Sequence, residues 1–448
     1  MLHYILYIVI ILLPGMDNVY SSPVPETRGM KVRFEDTTAA DEIRSYVDTL
    51  YNAGFNLIVL ETHYHGYTIY PSDVQREYSL PVQRPAFKGW DPLRTTIETA
   101  HEKNIAVYAW VQTLYVGNDR VEGKGPVLER YPQWGAVDQH GNMSPAAGED
   151  GYYFLSPFVY EVREYLSTLY TELIMEYNID GIFIDYLRYP VDAQSGESIY
   201  DFNETAITVT ENELGYSPHE IIPGGVDSDI FRSWTELRIA QTHETMRALS
   251  VALREAREDI WIVANVHGGY EPDSEKQDRL RDWVAWERDG LFDEVSTQNY
   301  YDDASTVHRI IRKDLNRLPA DAFLLPAITV RDIERENEQL ETVRGMFVPG
   351  VVYFVRSWMT PELYEALRDG PFQTDAYIPT KYPKQAVVHL LNACIDAMNL
   401  QDLLDKLDMD TATKETIRET RMYLESLTVV DDRFIRDLEL ARRLALFL

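Results

Sequence analysis

Short apolar runs alternate with longer amphipathic stretches along most of this chain. The runs are rich in Val, Ile, Phe and Tyr, as buried strands are, and the stretches between them repeat apolar residues at helical spacing. The predicted strands are Gly29–Phe34, Asn56–Thr62, Ala106–Gln112, Gly181–Tyr186, Ile260–Val266, Glu294–Tyr300, Phe323–Val330 and Val351–Trp358. The predicted helices are Ala39–Ala53, Pro92–Lys103, Val159–Tyr177, Ser233–Glu258, Arg279–Asp289, Thr306–Arg317, Glu334–Phe347 and Pro361–Arg368.

Eight strands alternating with eight helices predict an α/β fold, a (β/α)8 TIM barrel. The other arrangement weighed is an open doubly wound sheet, but the first strand-to-helix turn has no Gly-rich phosphate loop. The connections after strands two, three and four are long: His63–Asp91, Thr113–Pro157 and Leu187–Arg232. All three follow the carboxyl ends of strands, so they are expected on the face where barrels hold their active sites.

The two ends of the chain differ from this pattern. Residues 1–21 are predicted to be a signal peptide, because an apolar run at Ile5–Leu13 is followed by small residues before position 22. No Lys or Arg precedes the run, so an uncleaved hydrophobic tail is the alternative. We therefore expect a secreted, periplasmic or cell-surface protein, with the barrel at 22–373.

The tail at 374–448 has no strand pattern. Lys384–Asn399, Ala412–Leu427 and Asp432–Leu448 are predicted to be helices with apolar stripes. We expect a C-terminal helical appendage that packs on the barrel or on another copy of the chain, which makes a homo-oligomer one expectation.

Composition excludes several classes of protein. The 448 residues include 73 acidic and 42 basic ones, for a formal net charge of −31. Binding to nucleic acid or to an anionic membrane needs a basic face, so neither partner is expected, and no contact with a membrane is expected beyond the signal segment. Only 10 of the basic residues are Lys, as expected of a protein from a salty habitat; an ordinary soluble protein with some self-repulsion is the alternative. The single cysteine, Cys394, rules out an intrachain disulfide.

Strand four is the most informative segment for chemistry. It is apolar until Asp185 and then turns polar at once. Period-two alternation puts Phe183 and Asp185 on one face, so an inward Phe183 would leave Asp185 at the barrel mouth. A carboxylate there can act as a nucleophile, a base or a metal ligand. The alternative is an Asp that only caps the next segment.

Other predicted strands also end in polar residues, which a purely structural barrel would not need. Glu61 follows strand two, and Asp302 and Asp303 follow strand six. These carboxylates are the candidate partners of Asp185, although surface or turn positions would explain them equally well. The chain also has 30 Tyr, many of them in the long loops, and aromatic faces stack on sugar rings.

The segment from Asp180 to Pro190, DGIFIDYLRYP, resembles the glycosyl hydrolase-like 10 family. Other matching stretches are Ala53–Asn56 before strand two, Val107–Trp110 in strand three, Tyr131–Trp134 in the third loop and Gln298–Tyr300 at the end of strand six. The resemblance covers roughly residues 27–372 and leaves the helical tail outside.

The family is similar to α-galactosidase-like barrels, in which an Asp on strand four is the nucleophile and an Asp on strand six is the acid. The resemblance therefore implies hydrolysis of glycosidic bonds in a polysaccharide, with Asp185 as the key carboxylate and no cofactor. By this analogy Asp302 is the preferred acid and retention the preferred outcome, with Glu61 next in line. The expected substrate-binding residues are His63, Tyr64, Trp110, Arg188, Tyr189, Asn265, His267, Gln298, Tyr300 and Trp358.

Two other functions remain open at this point. A carbohydrate-binding barrel without activity would keep the aromatic groups but lack a second carboxylate. A metal-dependent barrel hydrolase would use His63, His65 and His267 as ligands. The second is disfavoured because an H-x-H pair of such enzymes usually lies on strand one, and no metal is expected.

Overall fold

The structure is a computed structural model of the chain. It describes residues 23–36, 38–143, 151–191, 199–222, 227–269, 278–319, 322–329, 332–346, 348–382, 385–386 and 389. The predicted signal peptide lies outside these residues, as does nearly all of the predicted helical appendage.

Eight parallel strands close into a barrel. They are β1 Thr27–Val32, β2 Leu57–Tyr64, β3 Ala106–Gln112, β4 Gly181–Asp185, β5 Trp261–His267, β6 Glu294–Asn299, β7 Phe323–Leu324 with Ala327–Thr329, and β8 Gly350–Phe354. Each strand pairs with the next in sequence, and β8 pairs with β1. The predicted (β/α)8 architecture is confirmed.

One helix follows each strand. They are α1 Ala40–Asn52, α2 Pro92–His101, α3 Tyr160–Glu176, α4 Ser228–Ala256, α5 Trp283–Arg288, α6 Ala304–Leu315, α7 Ile333–Arg344 and α8 Pro361–Asp369. Polar N-cap residues fix where several of them start. Asp91, Asp303 and Thr360, for example, accept a backbone N–H from the first turn of α2, α6 and α8.

The long connections carry small elements of their own. The β2 connection contains a strand Tyr67–Thr68, a helix Asp73–Glu77 and a 3-10 turn Pro85–Phe87. The β3 connection contains an antiparallel pair, Tyr115–Asn118 with Tyr152–Phe154, a helix Gly125–Arg130 and a 3-10 turn Pro132–Trp134. Helices Glu204–Leu214 and Pro218–Ile221 follow β4, and a 3-10 turn Arg356–Trp358 follows β8. These elements were not predicted, because short loop elements have no sustained periodicity.

Alternation along the strands separates two cores. Side chains such as Ile58 and Leu60 of β2 join a large outer cluster with the helices, whereas Leu57 and Val59 join an inner cluster with Trp110 and Phe183. The inner cluster fills the barrel, as close packing requires. Phe183 therefore points inward, as the expectation for Asp185 requires.

Two strands depart from their predicted bounds for local reasons. Strand β7 is interrupted between Leu324 and Ala327, where Pro326 lacks the N–H that a ladder needs. Strand β8 ends at Phe354 rather than at Trp358, and the chain continues into the short turn Arg356–Trp358.

The chain after α8 returns to the bottom of the barrel. Residues Ala376–Tyr377 pair in parallel with Val24–Pro25, and Ile378 packs in the inner cluster. The barrel unit therefore extends past the predicted boundary at 373. Among the described residues, no helix has the length and apolarity needed to cross a bilayer.

Candidate active site

Polar side chains gather inside the barrel where the strands end on the carboxyl side. We call them the mouth cluster: Lys31, Arg33, Glu61, Trp110, Gln112, Asp185, Asn265, His267 and Tyr300. They come from five consecutive strands and the end of β6, so the closed barrel brings together groups that are far apart in sequence.

Asp185 ends β4 with only 4% of its surface exposed. The indole Nε1 of Trp110 donates to its Oδ2 at 2.9 Å, and the backbone N–H of Tyr186 donates to its Oδ1 at 2.7 Å. Tyr186 has a positive φ of 54°, an uncommon conformation for a non-glycine residue and one that recurs at functional sites. Both carboxylate oxygens are thus held in place before any substrate binds.

Lys31 is a buried ammonium beside this carboxylate. Its Nζ donates to Asn265 Oδ1 at 3.2 Å and lies 5.0 Å from the Trp110 ring centroid and 4.8 Å from that of Phe183. Burial lowers the pKa of Lys31 to about 8, against the opposing attraction of Asp185 and Glu61. Lys31 therefore offsets part of the negative charge inside the mouth.

Glu61 faces the interior from β2 and is fully buried. Arg33 binds it through two N–H groups, with Nη2 to Oε1 at 2.8 Å, and Gln112 Nε2 donates to Oε1 at 2.6 Å. The attraction of Glu61 raises the pKa of Arg33. Strand β3 thus supports both mouth carboxylates, since Trp110 binds Asp185 and Gln112 binds Glu61.

Asn265 and Tyr300 present polar atoms to the mouth. Asn265 Nδ2 and the Tyr300 hydroxyl are buried and make no hydrogen bond with any described residue. Burial, and then the charge of Asp185, raise the pKa of Tyr300. Buried donors without partners are costly, so these two groups are suited to bind the hydroxyls of a substrate.

His267 and Arg188 lie on the β4–β5 side of the mouth. Arg281 Nη2 lies 3.1 Å from His267 Nδ1. Burial and the nearby charges of Arg279, Arg281, Arg188 and Lys31 hold the pKa of His267 well below its usual range. His267 is therefore a neutral imidazole at physiological pH. Arg188 lies 5.2 Å from the ring centroids of Phe154 and Tyr186.

The residues at the end of β2 point elsewhere. His63 is buried against α3, 3.2 Å from the Tyr170 hydroxyl, and burial lowers its pKa to about 4. The register shifts between Glu61 and His63, which turns the strand end. Tyr64 is 4% exposed and packs under the Arg84 guanidinium, 4.6 Å away. His63 therefore belongs to the packing of the wall, whereas the Tyr64 ring also lies 5.7 Å from the Arg33 guanidinium of the mouth cluster.

Of the remaining predicted site residues, Gln298 faces the barrel interior, where it pairs in register with His267, and the others lie elsewhere. Tyr189 is 1% exposed and close to the buried Asp201. Gln298 lies on the inner face of β6 by alternation. Trp358 is 45% exposed on the rim, 5.5 Å from the Phe354 ring. The Asp302 side chain is 58% exposed on the outer rim, and Arg335 Nη1 lies 3.9 Å from its Oδ1.

The three histidines weighed as metal ligands face different partners. His63 faces Tyr170, His65 lies 2.9 Å from the Tyr115 hydroxyl and 3.5 Å from Glu122, and His267 faces Arg281. Within the described ranges, no group of three His, Cys, Asp or Glu side chains is arranged to hold a metal ion.

Lys31 and Arg33 are the mouth residues that sequence reasoning missed. They occupy alternate positions of the predicted first strand, so both face the interior of the barrel. Two basic residues spaced two apart in a predicted core strand are unusual, and this pattern could have identified them as site residues.

Comparison with known proteins places this barrel in a class. It resembles solved barrels including an α-L-fucosidase isoenzyme 2 from Paenibacillus thiaminolyticus (14% identity, TM-score 0.54, 76% of this chain and 48% of that one) and the β-amylase catalytic domain of Paenibacillus polymyxa (12% identity, TM-score 0.53, 77% and 95%). At these identities the likeness concerns the fold.

The family model described as "Glycosyl hydrolase-like 10" matches residues 27–318, and the chain belongs to that family.

Curated relatives carry the same description. "Glycosyl hydrolase DigH" of Escherichia coli is 22% identical over 272 residues, which are 57% of this chain and 56% of that protein. "Glycosyl hydrolase YngK" of Bacillus subtilis is 24% identical over 168 residues, 37% of this chain and 31% of that protein. The chain thus spans about half or less of the relatives it matches.

Proposed function

We propose that this protein is a glycoside hydrolase that cleaves glycosidic bonds in a polysaccharide through Asp185. The observation that carries this proposal is the fixed carboxylate at the end of β4, held by Trp110 and the Tyr186 backbone inside the barrel mouth. Family membership and the glycosidase folds of the neighbours support the same reaction class.

In the proposed reaction, Asp185 acts at the anomeric carbon, either by attacking it or by activating the attacking water. The two hydrogen bonds orient the Asp185 carboxylate but do not neutralise its negative charge, because the Trp110 indole and the Tyr186 backbone N–H are neutral donors. Asn265 and Tyr300 bind sugar hydroxyls beside it. Preorganised groups of this kind contribute to catalysis because they need not reorganise during the reaction.

We assign the second carboxylate to Glu61 rather than to Asp302. Glu61 shares the barrel interior with Asp185, and both charges act on Lys31. The Asp302 side chain is 58% exposed on the outer rim beside Arg335, so it does not share the barrel interior with Asp185. Held in place by Arg33 and Gln112, the Glu61 carboxylate stabilises the positive charge that develops at the anomeric carbon, and the leaving oxygen takes its proton from water.

We also propose that the protein is exported, on the basis of the signal peptide predicted at residues 1–21. A polysaccharide outside the cytoplasm is the substrate that an exported protein of this kind would meet.

A glycan-library digestion with the wild type beside Asp185→Asn tests the proposal. We expect new reducing ends from at least one polysaccharide with the wild type and none above background with the variant. Glycan binding by both proteins without cleavage by either would instead identify a carbohydrate-binding barrel. Equal cleavage by both would remove Asp185 from the reaction.

A further inference from the structure

A groove of about 630 Å³ runs between α1 and α8 on the flank of the barrel. Its volume is in the range of sites that take small molecules or pieces of polymers. The side chains that matter to its chemistry are Tyr46 and Asn52 of α1, Arg356 and Ser357 after β8, and Tyr364 and Arg368 of α8. We call it the flank groove.

Arg33 connects the flank groove to the mouth. Its guanidinium binds the buried Glu61 inside the barrel, yet 49% of its side chain is exposed and it lines the groove. One side chain thus forms a wall of both spaces.

Aromatic rings mark the same exit. Tyr300 stacks on Phe354 with ring centroids 4.7 Å apart, and Phe354 meets Trp358 edge-on at 5.5 Å. Tyr300 is close enough to Asp185 to feel its charge, while Trp358 is exposed at the rim. The groove residues Ser357 and Met359 flank Trp358 on either side. The series therefore leads from the reacting carboxylate to the head of the groove.

Arg356 provides hydrogen-bonding capacity there. Its guanidinium lies 4.5 Å from the centroid of the Tyr46 ring and makes no hydrogen bond or ion pair with any residue that the structure describes. A guanidinium carries five N–H donors, which suit the paired hydroxyls of a sugar.

We propose that the flank groove binds sugar units of the substrate that lie beyond the bond being cleaved. The inference rests on the proposed function and adds a second binding surface to it, which favours substrates long enough to occupy the mouth and the groove together. A disaccharide would occupy the mouth alone and gain nothing from Arg356 or Trp358.

Binding to the inactive Asp185→Asn protein tests this without relying on turnover. The probes are disaccharides and hexasaccharides of β-1,4-linked N-acetylglucosamine, glucose and xylose, with affinity measured by calorimetry. Arg356→Ala and Trp358→Ala are each added to this background. Arg232→Ala, which removes a 67% exposed arginine of α4 far from the groove in sequence, is the matched control.

We expect at least one hexasaccharide to bind tenfold or more tightly than its disaccharide. Each groove substitution should remove most of that advantage and change disaccharide binding less than twofold, while Arg232→Ala changes neither. Equal weakening of both lengths, or an unchanged hexasaccharide affinity, would overturn the groove proposal, as would the absence of length-dependent binding in every series. A wild type that cleaves no glycan but shows length-dependent binding through Arg356 would support the groove proposal. The same result would contradict only the proposed hydrolysis.

Discussion

Replacing Lys31 with Met should stabilise the protein at neutral pH while lowering its activity. The Lys31 ammonium is fully buried, and its pKa falls from the usual 10.5 to about 8. Each unit of pKa difference between folded and unfolded states corresponds to about 1.4 kcal/mol. Keeping Lys31 charged in the fold at pH 7 therefore costs about 3 kcal/mol, which a neutral side chain of similar length would not incur.

The pH dependence follows from the same shift. Between pH 8 and pH 10.5 the unfolded chain keeps the Lys31 proton and the folded chain has lost it, so stability rises with pH in this window. The advantage of Lys31→Met should fall from about 3 kcal/mol at pH 7 to about 1 kcal/mol at pH 9.5. Loss of the hydrogen bond to Asn265 subtracts about 1 kcal/mol at both pH values.

Urea unfolding at pH 7 and pH 9.5 measures this difference, with the exposed Lys88→Met as control. Activity of Lys31→Met on the substrate found by the library should drop, because the countercharge to Asp185 and Glu61 is gone. A variant that is less stable at pH 7, or whose advantage does not change with pH, would refute the charge-burial reasoning.

Three further outcomes are expected. Glu61→Gln should lower kcat by about two to three orders of magnitude without loss of folding, because a charge that stabilises the transition state is removed. The kcat of Asp302→Asn should stay within a few-fold of the wild-type value. Steady-state kinetics together with thermal unfolding checks both variants. Burial raises the pKa of Asp201 to about 7, so the folded state keeps a proton that the unfolded state releases above pH 4, and stability should fall by about 3 kcal/mol between pH 4 and pH 7. Asp201→Asn should abolish that share of the decline when urea unfolding is measured across this range. With a net charge of −31, the melting temperature should rise between low salt and ~1 M salt, where the Debye length is about 3 Å; a flat or falling curve would remove the salt-adaptation interpretation.

The architecture was predictable because its signal is repeated. Eight apolar runs separated by helical periodicity indicate a barrel even when single bounds are uncertain, and only Pro326 and the end of β8 shifted a strand appreciably. The inward position of Asp185 followed from alternation with Phe183, since period two is a property of any strand.

The site was less predictable because it depends on contacts between strands. Nothing local to Trp110 shows that its indole binds Asp185, or that Gln112 binds Glu61. The register shift after Glu61 moved His63 into the packing of the wall, while Tyr64 stays in contact with Arg33 of the mouth cluster. Asp302 was preferred by analogy with related barrels, yet the chain leaves the barrel interior after Tyr300, which puts Asp302 on the outer rim.

The most direct test of the central claim is azide rescue of Asp185→Ala on an activated glycoside of the sugar that the library identifies. If Asp185 acts at the anomeric carbon, the variant should lose several orders of magnitude in kcat while its thermal unfolding changes little. Azide should then restore turnover and give a glycosyl azide of configuration opposite to that of the substrate, because the small anion enters where the carboxylate acted. Turnover by Asp185→Ala within tenfold of the wild type, without azide, would contradict the account.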